Sequence, residues 1–264
     1  MSDLRLYAHA LRYHIGVTSP VNLDWSSPGL YALLGPNGAG KSTLLRLLAG
    51  VISPASGSVT LNERLLDQIP QRERAQMIAY LPQEAPIVSH WTAREVVEQG
   101  LTPHQDGALR EQEARAELKW LCERLKITPL LSRRMDQLSG GERRRILITR
   151  TLSQSTPIVL LDEPLASLDW PAQEEVMELL SEVSERRGAI VIISLHNLNL
   201  AWLFARRSAL LARGALVAEG ETSATLCAEL LSVSFGARPL LVEHPKALVQ
   251  QKLPQRTLDR ENLT

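Results

Sequence analysis

Apolar residues in this chain gather in short unbroken runs, each closed by a turn-forming or polar residue. The clearest are Leu30 to Leu34, Ile78 to Leu81, Ile158 to Leu161, Ala189 to Ile193 and Ala209 to Leu211. A strand with one wet face alternates apolar and polar residues, whereas a strand covered on both faces does not, so these runs predict a parallel sheet buried between two layers. Four of the runs lead into residues with chemistry: Gly35 to Ser42, then Gln83, then Asp162-Glu163, then His196. Ligands in open α/β sheets gather at the carboxyl ends of strands, so these four ends are expected to converge on one site.

After Gln83 the period changes from strand to helix. Thr92 and Glu95 form a capping box ahead of Val96 and Val97, and Leu118, Leu121, Cys122 and Leu125 follow i, i+3, i+4, i+7 spacing. The reading is one domain over residues 1–245, with a core of 1–84 and 154–245 and a helical insertion over about 85–153. From about Lys246 the composition turns polar, and residues 246–264, above all Gln250 to Thr264, are expected to be a mobile tail.

The 264 residues can bury a sizeable core, and 44% apolar content argues against overall disorder. Lys plus Arg total 29 and Asp plus Glu total 29, so no net charge draws the chain toward nucleic acid or acidic lipid. Cys122 and Cys227 stand in unrelated contexts with no CxxC pair, which fits a reducing cytoplasm and argues against zinc. The start, Met1-Ser2-Asp3-Leu4-Arg5, has no basic region followed by an apolar run, so no signal peptide is expected. The most apolar stretch, Ala189 to Ala205, carries His196, Asn197 and Asn199 and is a poor membrane span. Any membrane role is therefore expected to need a partner.

Gly35-Pro36-Asn37-Gly38-Ala39-Gly40-Lys41-Ser42 lies between an apolar run and the helical pattern Thr43 to Ala49, closed by Gly50. Glycines turn backbone N–H groups toward phosphate and a helix N-terminus adds partial positive charge, while Lys41 can reach the β and γ oxygens and Ser42 can ligate Mg²⁺. Adjacent residues of a strand face opposite ways, so Asp162 and Glu163 should have different jobs: Asp162 to hold Mg²⁺, Glu163 to accept a proton from, or orient, an attacking water. The bland alternative is an acidic loop paired with surface lysines. In Leu138-Ser139-Gly140-Gly141-Glu142, Ser139 and Glu142 form a second capping box whose glycines leave donors uncovered. Alone, that reads as a well-capped helix.

Taken in order, these motifs resemble the nucleotide-binding subunits of ATP-binding cassette transporters over nearly all of residues 1 to 245. The match runs through the Walker A loop (Gly35 to Thr43), Q-loop (Gln83), signature sequence (Leu138 to Glu142), Walker B strand (Ile158 to Asp162) with catalytic Glu163, D-loop (Ser167-Leu168-Asp169) and switch histidine (His196). The resemblance implies an α/β fold: a P-loop NTPase (RecA-like) core with an antiparallel β N-terminal part and a helical signature subdomain. It also implies ATP and Mg²⁺ as ligands and an active ATPase. Two subunits are expected to face each other head to tail, each ATP lying between one Walker A loop and the partner's signature helix. Thr43 would contact the α-phosphate, Gln83 would sense Mg²⁺ and the γ-phosphate, and His196 would hold the γ-phosphate and water. Ser139 and Gly141, with Gly140 and Glu142 beside them, would meet the partner-bound ATP, while Asp169 links the sites.

Without the resemblance, His196 reads equally well as a core histidine. Tyr13 resembles the residue that stacks on adenine, although His14-Ile15-Gly16 departs from the family pattern and plain core is the rival reading. Arg143-Arg144-Arg145 stands where the family often has a glutamine in the middle; a charged run on a helix is expected to be a solvated face. Asn197 replaces a frequent aspartate.

Tyr80-Leu81-Pro82-Gln83, Trp91 to Val97 with Gly100, His196 to Ala201, and Phe235-Gly236 are similar to bacterial importers of ferric siderophores, haem and cobalamin. That resemblance implies membrane permease subunits as partners, with Pro86, Ile87, Val88 and Trp91 near the docking groove and docking favoured for some of them; packing within the helical insertion is the rival reading. It also implies an extracytoplasmic binding protein and a place on the cytoplasmic face of the inner membrane. Another cargo, or export, stays open. A soluble cassette acting on nucleic acid or ribosomes is disfavoured, because no fused second cassette, coiled-coil insert or basic arm is visible, and no nucleic-acid role is expected.

Overall fold

The computed structural model describes residues 4–13, 19–86, 89–104 and 108–235. His14-Ile15-Gly16, Ile87, Val88, Gly236 and residues 246–264, singled out in the sequence, lie outside the described residues.

Two sheets form the frame. β1 (Leu6–Arg12), β2 (Val21–Trp25), β4 (Ser56–Leu61) and β5 (Arg64–Leu65) make an antiparallel sheet in the order β2-β1-β4-β5. β3 (Gly29–Leu34), β6 (Ile78–Leu81), β7 (Ile158–Leu161), β8 (Ile190–Ser194), β9 (Arg207–Ala212) and β10 (Ala215–Glu221) form the second, ordered β10-β9-β3-β8-β7-β6. Every pairing there is parallel except that of the edge strand β10. The expected strands are all present, Ala189 to Ile193 shifting by one residue at each end to Ile190–Ser194.

Unbroken apolar runs arise because the second sheet is buried on both faces. Leu30, Ala32, Leu34, Val159, Leu161, Val191 and Ile193 enter one hydrophobic cluster. Tyr31, Leu33, Ile158, Leu160, Ile190 and Ile192 alternate into the other. The second cluster also holds the antiparallel sheet and helix α1 (Lys41–Leu48) through Leu44, Leu45, Leu47 and Leu48. A short helix, α2 (Gln71–Met77), leads into β6.

The first cluster is covered by helices. Between Gln83 and Ser153 the described residues hold α3 (Ala93–Glu98), α4 (Ala108–Arg124) and α5 (Gly140–Leu152), joined by 3₁₀ turns. Thr92 and Glu95 close the expected capping box on α3. Leu121, Cys122 and Leu125 are buried, and Leu125 lies just past the end of α4. Half-buried Trp91 packs on this cluster while Pro86 is exposed. α6 (Trp170–Arg187) and α7 (Leu198–Phe204) pack on the same face, and α8 (Thr222–Thr225) and α9 (Ala228–Phe235) end the described chain. No described helix is long and apolar enough to cross a membrane.

Candidate active site

The loop from Gly35 to Gly40 leaves β3 and enters α1 through a chain of left-handed residues. Gly35 (φ 145°) passes so close to the Leu211 carbonyl that a Cβ there would sit 2.2 Å from its oxygen, so only glycine fits. Gly40 (φ 98°) is the N-cap of α1 and offers no side chain to the first turn, which leaves the helix's leading N–H groups open to an anion. The Gly214 N–H donates to the Ala39 carbonyl at 3.0 Å, tying the loop to the β9–β10 turn. Lys41 is only 4% exposed, and its Nζ donates to the carbonyls of Gly35 (2.8 Å) and Pro36 (3.2 Å). Burial lowers the Lys41 pKa, and the Glu163 and Asp162 charges oppose that shift.

Asp162, fully buried at the end of β7, accepts from Ser42 Oγ at 3.1 Å and Ser194 Oγ at 2.9 Å, both on Oδ1. Its Oδ2 is buried with no hydrogen-bond partner among the described residues. A buried carboxylate oxygen left unpaired beside a serine hydroxyl suits a hard divalent cation, so Ser42 and Asp162 fit the expected Mg²⁺.

Glu163 turns away from the strand in the left-handed region (φ 46°). Its N–H donates to Ser194 Oγ at 2.7 Å. Its carboxylate accepts from Gln83 Nε2 at 2.9 Å, and His196 Nε2 lies 2.6 Å from the other oxygen. The ends of β6, β7 and β8 thus meet at one carboxylate, beside the end of β3. A cleft of about 730 Å³ is lined by the loop from Asn37 to Thr43 together with Gln83, Glu163 and His196. Thr43 and the open donors of α1 therefore share one cavity with the acid.

Other expected site residues lie elsewhere. Tyr13 does not line that cleft; the residue is 9% exposed, its ring lies against Gly40, and its hydroxyl is buried with no partner among the described residues. Burial pushes the Tyr13 phenol upward. Ser139 Oγ accepts from the Glu142 N–H, and Glu142 Oε2 accepts from the Ser139 N–H, so the second capping box is closed. Gly140 and Gly141 stand beside Ser167 and Leu168, not in the cleft. Asp169 caps α6 by accepting from the Ala172 N–H at 3.1 Å, and Asn197 caps α7.

The arginine run corrects the sequence reading. Arg144 is not solvated: it is 7% exposed and its guanidinium reaches the carbonyls that end β6 and β7. The signal was present, since position 144 shares a helix face with Leu147, Ile148 and Thr151, all buried. Ser194 was also missed, although it is the polar residue that closes an otherwise apolar strand.

Residues 18–166 match the family model described as ABC transporter. The hemin import ATP-binding protein HmuV of Gloeobacter violaceus is 39% identical over 241 residues, covering 86% of this chain and 84% of that protein. The ferric enterobactin transport ATP-binding protein FepC of Escherichia coli is 37% identical, covering 82% and 80%. A dimeric post-hydrolysis structure of the ATP-binding cassette MJ0796, bound to ADP and Pi, superposes with a TM-score of 0.71 at 25% identity, covering 82% of this chain and 98% of that one.

Proposed function

This chain belongs to the ABC transporter family, and from that premise we propose that it is the ATP-hydrolysing subunit of a bacterial importer of a metal chelate such as a ferric siderophore, haem or cobalamin. The observation that carries the reading is the meeting of Gln83, Glu163 and His196 at one carboxylate, across the cleft from Lys41 and the open N-terminus of α1. The cargo class is supported by relatives named for hemin and ferric enterobactin, both iron chelates.

In this reading the backbone donors from Gly38 to Thr43 and the Lys41 ammonium hold the phosphates. Ser42, Asp162 and Gln83 would hold Mg²⁺, which supplies charge neutralisation at the phosphate oxygens when bound. Glu163 accepts the proton of the attacking water, while His196 and Gln83 fix the orientation of its carboxylate. Ser139, Gly140, Gly141 and Glu142 stand apart from their own chain's cleft, which supports a role at the ATP of a second copy, with Asp169 near the junction. The permease subunits are the membrane partners and hold this subunit on the cytoplasmic face; the extracytoplasmic binding protein is reached only through them.

The composite site is tested by mixing inactive subunits. Lys41→Ala and Ser139→Arg homodimers each spoil both sites, but a mixed dimer keeps one site with both phosphate elements intact. Mixing should restore up to about a quarter of wild-type ATPase activity, since half the dimers are mixed and half their sites intact. A mixture as inactive as its parents, beside an active wild type whose specific rate is independent of concentration, would show that each site is built within one chain.

A further inference from the structure

Arg144 is a buried cation without an ion-pair partner among the described residues, and each of its N–H groups has a destination. Nε donates to the Pro164 carbonyl at 3.0 Å. Nη1 donates to Pro82 (3.4 Å) and Gln83 (3.1 Å), and Nη2 to Asp162 (2.8 Å) and Glu163 (2.7 Å). The acceptors are all backbone carbonyls, and they belong to only two segments: the ends of the adjacent parallel strands β6 and β7.

We propose that Arg144 is a positioning residue for hydrolysis, locking the backbones of Gln83 and Glu163 to the signature helix α5 so that the Glu163 carboxylate is held in its working place. The proposal rests on the ATPase reading above. Glu163 has a left-handed backbone that a residue with a Cβ disfavours, and such a conformation persists only when its surroundings over-determine it. Here Ser194 holds the Glu163 N–H and Arg144 holds its carbonyl. The same fork grips Gln83, whose amide is the donor to Glu163 Oε2. Arg144 sits on the helix whose first turn carries the Ser139–Glu142 capping box. A shift of α5 therefore moves the catalytic backbone with it, rather than leaving the two joined by loose packing. The planar five-donor geometry is peculiar to arginine; a lysine would supply charge without the fork.

The test is steady-state ATPase activity of the full-length chain with Arg144→Met, which keeps bulk and removes every donor, and Arg144→Gln, which keeps two. The Met variant should lose about tenfold or more in kcat with KM for ATP within about threefold, because a displaced general base costs rate rather than affinity. The Gln variant should fall between Met and wild type, and it alone decides if the Met protein does not fold. Wild-type kcat in the Gln variant, or kcat and ATP affinity lost together in step with the melting temperature, would overturn the positioning role. A wild-type chain with no ATPase activity would instead sink the ATPase reading and this proposal with it.

Discussion

Ser194→Ala removes one oxygen that serves two masters. The Ser194 hydroxyl accepts from the Glu163 N–H and donates to Asp162 Oδ1, and the residue is fully buried. A hydrogen bond to an ionised group is worth about 1.5–3 kcal/mol and a neutral one about 0.5–1.5 kcal/mol, so the substitution should cost about 2–4 kcal/mol. For a chain of this size that lowers the melting temperature by roughly 5–15 °C. Among the described residues the Asp162 carboxylate would keep only the Ser42 hydroxyl, and Glu163 would lose one of the two contacts that hold its strained backbone, so ATPase activity should also fall by about tenfold. Ser184→Ala is the matched control: that serine is equally buried but makes a single bond, to the Ala189 carbonyl, far from the cleft. It should lose about 1 kcal/mol and no activity. Thermal melts and ATPase rates of the two variants together check the argument. A Ser194→Ala protein that melts with Ser184→Ala and hydrolyses ATP at the wild-type rate would refute it.

Glu163→Gln keeps the shape of the side chain and its reach to Gln83 but removes the base. Turnover should drop by about 10²–10⁴-fold, equivalent to about 3–5 kcal/mol in the barrier, with ATP affinity preserved and a closed dimer visible by gel filtration; wild-type turnover would remove Glu163 as the base. The Ser139 N–H that donates to the Glu142 carboxylate, with the Ser139 side chain second, holds its pKa below the ordinary value. Because the folded pKa is the depressed one, this stabilisation is present above the unfolded value near 4.5 and is lost as pH falls through the folded value. Wild type should therefore melt above Glu142→Gln at pH 7, by about 0.5 kcal/mol, and the gap should close in acid; a gap that widens below pH 4 would contradict the assignment.

The parallel sheet was legible because burial on two faces writes itself as unbroken apolar sequence, as in Ile158–Leu161, where every residue is buried. The antiparallel strands carried a quieter signal. Val21–Trp25 alternates buried and accessible positions, but which distant strand completes its pairing depends on contacts no local pattern encodes. The phosphate loop and the two capping boxes were readable since their chemistry is local. Arg144 was not, because composition argued for water while its place on the apolar stripe of α5 argued for the interior, and tertiary contacts decided. Asp169 shows a further limit: its carboxylate caps α6 within its own chain, a role the D-loop motif does not announce.

The six-stranded sheet also acts as a partition. The hydrophobic cluster on one side includes the helical insertion and α6, and that on the other includes α1 and the antiparallel sheet; the two have no buried residue in common. A substitution on the helical side is thus screened from the phosphate loop by a layer of backbone. Over evolutionary time the two sides can drift at different rates, one remodelling to suit a new neighbour while the other stays fixed by the geometry of a triphosphate. Arg144 runs from the helical side to the carbonyls at the strand ends, so tolerance to change should narrow sharply there.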